Sequence, residues 1–104
     1  MNYPIYKTST TGKDFTVNDK EELFFNAFSE NMEPEINTLI SLYRMSDGTL
    51  SVYFSNYPVG KIKLQGRKHW MQILKGLYGV KVIDGDVGDF ITHIADWKRY
   101  INSL

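Results

Sequence analysis

Residues 36–64 read INTLISLYRMSDGTLSVYFSNYPVGKIKL, and how this stretch pairs with itself decides the fold. Ile36–Met45 and Thr49–Ser55 are rich in β-branched and aromatic residues, and Ser46-Asp47-Gly48 between them is hairpin chemistry. A two-residue loop would set Leu50, Val52 and Phe54 against Met45, Tyr43 and Ser41 and mix polar with apolar groups on each face. A three-residue loop with Gly48 left-handed at a bulge aligns them with Arg44, Leu42 and Ile40 instead, and this register is expected. Ser41, Tyr43, Met45, Thr49, Ser51, Tyr53 and Ser55 then share the opposite face. Asn56-Tyr57-Pro58 reads as a turn. Val59–Leu64 follows as a third strand, with Ile62 and Leu64 on the core side and Lys61 and Lys63 emerging beside the tyrosines.

Upstream, Asn18 can cap a helix with Glu21 at its third position, and Leu23, Phe24, Ala27, Phe28 and Met32 form one apolar face. Pro34 should end this helix near Met32. Tyr3–Phe15, with Pro4, Gly12 and a Thr-Ser-Thr-Thr run, suits an arm or an edge strand. Downstream, Gly66 breaks the third strand, and Trp70, Ile73, Leu74 and Leu77 fall at i, i+3, i+4 and i+7, the stripe of a second helix capped by Gly79. Val80–Ile83 reads as a short edge strand. Asp86, with Asp89 in the first turn, caps a third helix whose buried stripe is Val87, Phe90, Ile91, Ile94, Trp97 and Ile101. The expected fold class is α+β: a single two-layer domain over residues 1–104, in the order α-β-β-β-α-β-α. It has an antiparallel sheet of three to four strands with helices mainly on one face. There is no internal repeat, low-complexity tract or linker.

A chain of 104 residues with 42% hydrophobic and 23% charged residues has the size and composition of one ordinary globular domain. With no cysteine, disulfides, thiolate nucleophiles and cysteine-ligated zinc are excluded, and a cytoplasmic location is the default expectation. Neither a secretion signal nor a stretch of ~20 apolar residues occurs, so no membrane segment is expected. The net charge of zero conceals a division: residues 1–52 carry four basic and eight acidic groups, residues 53–104 eight basic and four acidic. No acid lies between Asp47 and Asp84, where Lys61, Lys63, Arg67, Lys68, Lys75 and Lys81 all fall. Such a segment either attracts an anionic partner or is neutralised by the acidic first helix region.

Catalytic chemistry finds little support. The Gly-x-Ser-x-Gly elbow is absent, and His69 and His93, each expected on a helix beside a tryptophan-bearing stripe, read as structural. Neither histidine has another at i+4, the spacing that would put two metal ligands on one helical face. Residues 84–89, DGDVGD, do not follow an EF-hand loop, which wants glycine at its sixth position and glutamate at its twelfth, where Asp89 and Ala95 stand. The glycines match neither phosphate-loop spacing. No catalytic residue, metal site or cofactor is expected, and an enzyme is the minority reading.

The expected function is that of a small binding domain for single-stranded nucleic acid. Tyr43 and Tyr53 would stack bases while Lys61, Lys63, Arg67 and Lys68 meet phosphates, because every base offers a π-face and the backbone is always anionic. The RNP aromatic signature of RNA recognition motifs is absent. The alternative is a protein-interaction module or homodimeric accessory protein using Tyr43, Met45 and Tyr53. Salt dependence separates the two.

Overall fold

Gly48, at φ 93°, closes the turn between strands β2 (Ile40–Arg44) and β3 (Leu50–Phe54). Met45 N–H donates to Thr49 O at 2.8 Å and Gly48 N–H to Met45 O at 3.0 Å, so the loop is the three-residue form. The register follows: Ile40 opposes Phe54, Leu42 opposes Val52 and Arg44 opposes Leu50. The computed structural model describes residues 1–8, 14–76 and 79–104. The other strands are β1 (Ile5–Lys7), β4 (Tyr57–Lys63), β5 (Trp70–Lys75) and β6 (Gly79–Asp84). The helices are α1 (Asp19–Glu30), α2 (Pro34–Asn37), α3 (Val87–Ile91) and α4 (Ile94–Asn102). The six strands form one mixed sheet in the order β1-β2-β3-β4-β5-β6, antiparallel throughout except that β1 runs parallel to β2.

The α+β class stands, but the sheet has six strands where three to four were expected. The largest correction is at Trp70–Lys75, which is a strand and not a helix. The same residues satisfy a period of two: Met71 and Ile73 are buried on the core side, with Trp70, Gln72 and Leu74 on the other. Pairing with β4 on one side and β6 on the other decides between the periods, since a central strand satisfies its backbone on both edges. Leu77 of the expected stripe lies outside the described residues. Gly79 begins β6 instead of capping a helix.

Smaller corrections have equally local causes. Ile36–Asn37 belong to α2, because Pro34 occupies a first-turn position where its missing N–H costs nothing. The turn after β3 is Ser55-Asn56, with Tyr57 and Pro58 already in β4. Pro58 is tolerated in this interior strand beside a register shift at Val52/Tyr53, which marks a bulge. The C-terminal helix divides at Thr92-His93 into α3 and α4, yet its stripe of Phe90, Ile94, Trp97 and Ile101 is buried as expected. Of the N-terminal segment, Ile5–Lys7 is an edge strand, and residues 9–13 lie outside those described.

The core lies between one sheet face and the helices. Asn18 caps α1 in a full capping box with Glu21, and Phe24, Phe25 and Phe28 are completely buried. Each such ring contributes ~1.5–3 kcal/mol, more than the ~1 kcal/mol of the cap, so packing sets the helix orientation. That orientation exposes Leu23, at 54%, and buries Phe25 in its place. Trp97 meets Phe24 and Phe28 edge-on at 5.5 and 5.9 Å, and its indole N–H donates to Gln72 O at 2.9 Å. Gly60 makes room for this ring: a Cβ there would lie 2.7 Å from Trp97 Nε1 and 2.4 Å from Gln72 O.

A buried ion pair ties α1 to the sheet. Arg44 donates through Nη1 to Glu21 Oε2 at 2.5 Å and through Nη2 to Glu21 Oε1 at 3.1 Å. Gly48 O accepts from Arg44 Nη1 at 2.9 Å, the Gln65 side chain and the Asn18 N–H donate to Glu21 Oε1 at 2.9 and 3.2 Å, and the Phe15 ring lies 5.7 Å from the guanidinium carbon. Such charge-assisted pairs hold geometry tightly when dry.

Candidate nucleic-acid interface

Strand alternation sends the residues between the core positions to the other sheet face. The pairing places Tyr6, Tyr43, Ser51, Lys61, Gln72 and Val82 in one row across all six strands. A second row runs Lys63, Trp70 and Asp84. None of the helical residues of the core packs on this side: the buried cluster joins the helices to Ile40, Leu42, Leu50, Val52, Ile62, Met71 and Ile73 of the opposite face. The face is therefore open among the described residues.

Its aromatic part is a continuous ladder. Tyr43 lies between Tyr6, with ring centroids 5.3 Å apart, and Tyr53, at 5.1 Å and 71°. The second contact is edge-to-face, the arrangement that ring quadrupoles favour. Thr8, Tyr43, Met45, Ser51, Tyr53, Ser55, Asn56 and Lys61 line a concavity of about 400 Å³. Ser51, 8% exposed, forms part of its floor, and Lys61 supplies its cation.

Of the six expected site residues, Tyr43, Tyr53 and Lys61 come together here. Lys63 follows Lys61 on the same face one pleat along, about 7 Å away. Arg67 and Lys68 are exposed on the β4–β5 loop and do not line the concavity. The order Lys61, Lys63, Arg67, Lys68 thus runs along β4 and off its end. Lys63 also faces toward Asp47. Burial pushes the Asp47 carboxyl upward, but hydrogen bonds from Thr49 and the charge of Lys63 outweigh it and hold the pKa below the usual value.

Of the acids in residues 1–52, Glu21 pairs with Arg44, Glu22 with the Met1 ammonium, Glu33 with Lys98 and Asp14 with Lys7. In the other half Asp86 pairs with Lys20 and Asp96 with Arg99. Among the described residues, Lys61, Lys63, Arg67, Lys68, Lys75 and Lys81 form no ion pair. Of these cations, Lys63 acts on an acid at longer range, the Asp47 carboxylate.

Both histidines have local partners. His69 lies on the β4–β5 loop and not on a helix; its Nε2 is 2.9 Å from Gly66 O and its Nδ1 3.5 Å from Asp86 Oδ1. Asp86 caps α3, and a hydrogen bond from Lys20 Nζ, with the Val87 N–H second, lowers its pKa to about 2. His93, at the break before α4, bonds Asp96 at 2.8 Å and lowers that carboxyl as well. Among the described residues no group of three or more metal-ligating side chains is assembled. A further concavity of about 410 Å³ opens between the end of β5 and α4, where Arg99 is already held by Asp96.

Sequence reasoning missed Tyr6, which the parallel pairing of β1 adds to the ladder, and Trp70, which the helical reading turned inward. An alternation of Trp70, Gln72 and Leu74 was the available signal for the second. None of the described helices is long and apolar enough to cross a membrane. No family model, no curated protein and no solved structure matches this chain.

Proposed function

We propose that this protein is a non-enzymatic binding domain that holds single-stranded nucleic acid across the open sheet face. Bases stack at Tyr43 and Tyr53, and phosphates follow Lys61 and Lys63 along β4 and then Arg67 and Lys68 on the loop beyond its end. The observation that carries the reading is that, among the described residues, Lys61 stands without an ion pair in an aromatic concavity on the sheet face away from the helices, with Lys63 beside it. A strand of this kind asks for little else, since stacking is tolerant of sequence and the backbone supplies constant negative charge. The cysteine-free chain suits a reducing cytoplasm, where we place it.

Fluorescence anisotropy of a labelled single-stranded oligonucleotide at two salt concentrations tests the proposal. Four neutralised phosphates give a log K against log salt slope of about −2.8, at ~0.7 per contact. Replacing Lys61, Lys63, Arg67 and Lys68 together by glutamine should abolish binding with the thermal midpoint nearly unchanged, and K61Q/K63Q alone should flatten the slope by about 1.4. Unaltered binding by the fourfold variant refutes the assigned track. No saturable binding at low salt refutes the nucleic-acid reading itself and transfers the Tyr43–Met45–Tyr53 concavity to a protein ligand.

A further inference from the structure

The two edges of the sheet are unequal. β1 is three residues long, whereas β6 spans Gly79–Asp84, six residues. β6 carries no proline, and Val80 and Val82 are 58% and 55% exposed. Natural sheets blunt such edges, because a row of free N–H and C=O groups recruits another strand. The only charge at the middle of this one is Lys81.

The alternation of the β5–β6 ladder determines which backbone groups of β6 are free. Gly85 N–H donates to His69 O, which makes His69/Gly85 a hydrogen-bonded pair continuing the β5–β6 ladder. Antiparallel pairs alternate, so Met71/Ile83, Ile73/Lys81 and Lys75/Gly79 are the bonded pairs inward. Val80, Val82 and Asp84 therefore turn their N–H and C=O groups outward. Their side chains all stand on the open face.

We propose that β6 pairs antiparallel with β6 of a second copy of this chain, about a two-fold axis through Val82. Self-pairing about an axis normal to the sheet must set residues of one face against residues of that face, which leaves few registers. An axis at Lys81 opposes two lysines and bonds only Val80 to Val82. An axis at Ile83 bonds only Val82 to Asp84. The axis at Val82 bonds Val82 to its own copy and Val80 to Asp84 at both ends, about six backbone hydrogen bonds in all. It also sets Lys81 across from the apolar Ile83. This register alone uses every outward group and opposes no like charges, so the edge specifies a second copy of itself.

The pairing is independent of the nucleic-acid reading but has a consequence for it. Val82 lies in the row of Lys61 and Gln72. The axis keeps both open faces on one side and sets the two Lys61 residues five inter-strand steps, ~24 Å, apart.

The test exploits a chain with no cysteine. In the proposed register the Val82 Cα atoms approach to ~5.5 Å, within disulfide range, whereas two Lys81 Cα atoms are offset along the strands beyond ~7 Å. Under mild oxidant V82C should crosslink to a dimer and K81C should not. In sedimentation equilibrium the unmodified protein should show a doubled mass at high concentration. V82P, which removes only an outward N–H, should raise the dissociation constant at least about tenfold while keeping the circular dichroism spectrum. A monomer at every concentration, equal crosslinking of K81C and V82C, or a dimer indifferent to V82P each overturns the proposal. Because these readouts need no oligonucleotide, their failure leaves the anisotropy test of the open face intact.

Discussion

Truncating Glu21 to alanine removes one half of the buried pair that joins α1 to β2, and its cost can be worked from the contacts. Glu21 is 1% exposed and Arg44 6%. The carboxylate accepts from both terminal nitrogens of Arg44, from Gln65 Nε2 and from Asn18 N–H. Asn18 keeps its own cap on the Glu21 backbone N–H at 2.8 Å, so the helix start survives. What is left behind is a buried guanidinium that keeps Gly48 O as acceptor and the Phe15 ring at 5.7 Å, with Nε already unbonded. Leaving a buried charge without its partner costs ~3–5 kcal/mol. For a domain of this size, whose whole stability is ~5–15 kcal/mol, the lower figure alone moves the thermal midpoint down by ~12 °C or more. Urea unfolding followed by circular dichroism measures it, with the slope checked for constancy. The companion variant, Glu21→Leu with Arg44→Met, removes both charges and should lie within ~1 kcal/mol of the parent protein. A loss below ~1 kcal/mol for Glu21→Ala refutes the reasoning. So does a double variant as unstable as the single one, since the cost would then belong to packing and not to charge.

Gly60→Ala should destabilise by ~1–3 kcal/mol, because the added methyl meets β5 backbone and the Trp97 ring and neither can retreat; a denaturant midpoint equal to that of the parent protein contradicts the packing described. The Asp86 carboxyl, lowered by Lys20 to about 2, contributes stability that is present above the ordinary carboxylate range and is lost as pH falls from about 4 through about 2. Lys20→Met should therefore raise the Asp86 pKa toward 3.8 in a carboxyl NMR titration; a value still near 2 would assign the shift to the Val87 N–H instead.

The elements that were legible are those whose information is local. Asn18 with Glu21, Asp86 with Asp89, and Gly48 in its hairpin each declare themselves within four residues, and all three formed as the chain chemistry required. Lys61 came out beside the tyrosines because alternation along one strand is enough to put it there. Trp70–Lys75 was misread because six residues satisfy two periods at once, and the choice belongs to the strands on either side. The exchange of Leu23 for Phe25 has the same origin: the adjacent Phe24 and Phe25 both enter the core once the sheet beneath α1 is fixed. The Glu21–Arg44 pair spans 23 residues of sequence and carries no local mark at all. Arg67 and Lys68 were grouped with the tyrosines by proximity in sequence, but the chain leaves the sheet before reaching them.

The two tryptophans have been separated by the fold into opposite optical environments. Trp97 is wholly enclosed and bonded to Gln72 O, so its emission follows the integrity of the interior. Trp70, half-buried on the open face in the row of Lys63, lies where a bound strand would quench it. A single unlabelled molecule thus carries one fluorophore that reports unfolding and another placed to report occupancy of the open face if the proposed strand binds there, and replacing either by phenylalanine leaves the other signal to be read alone.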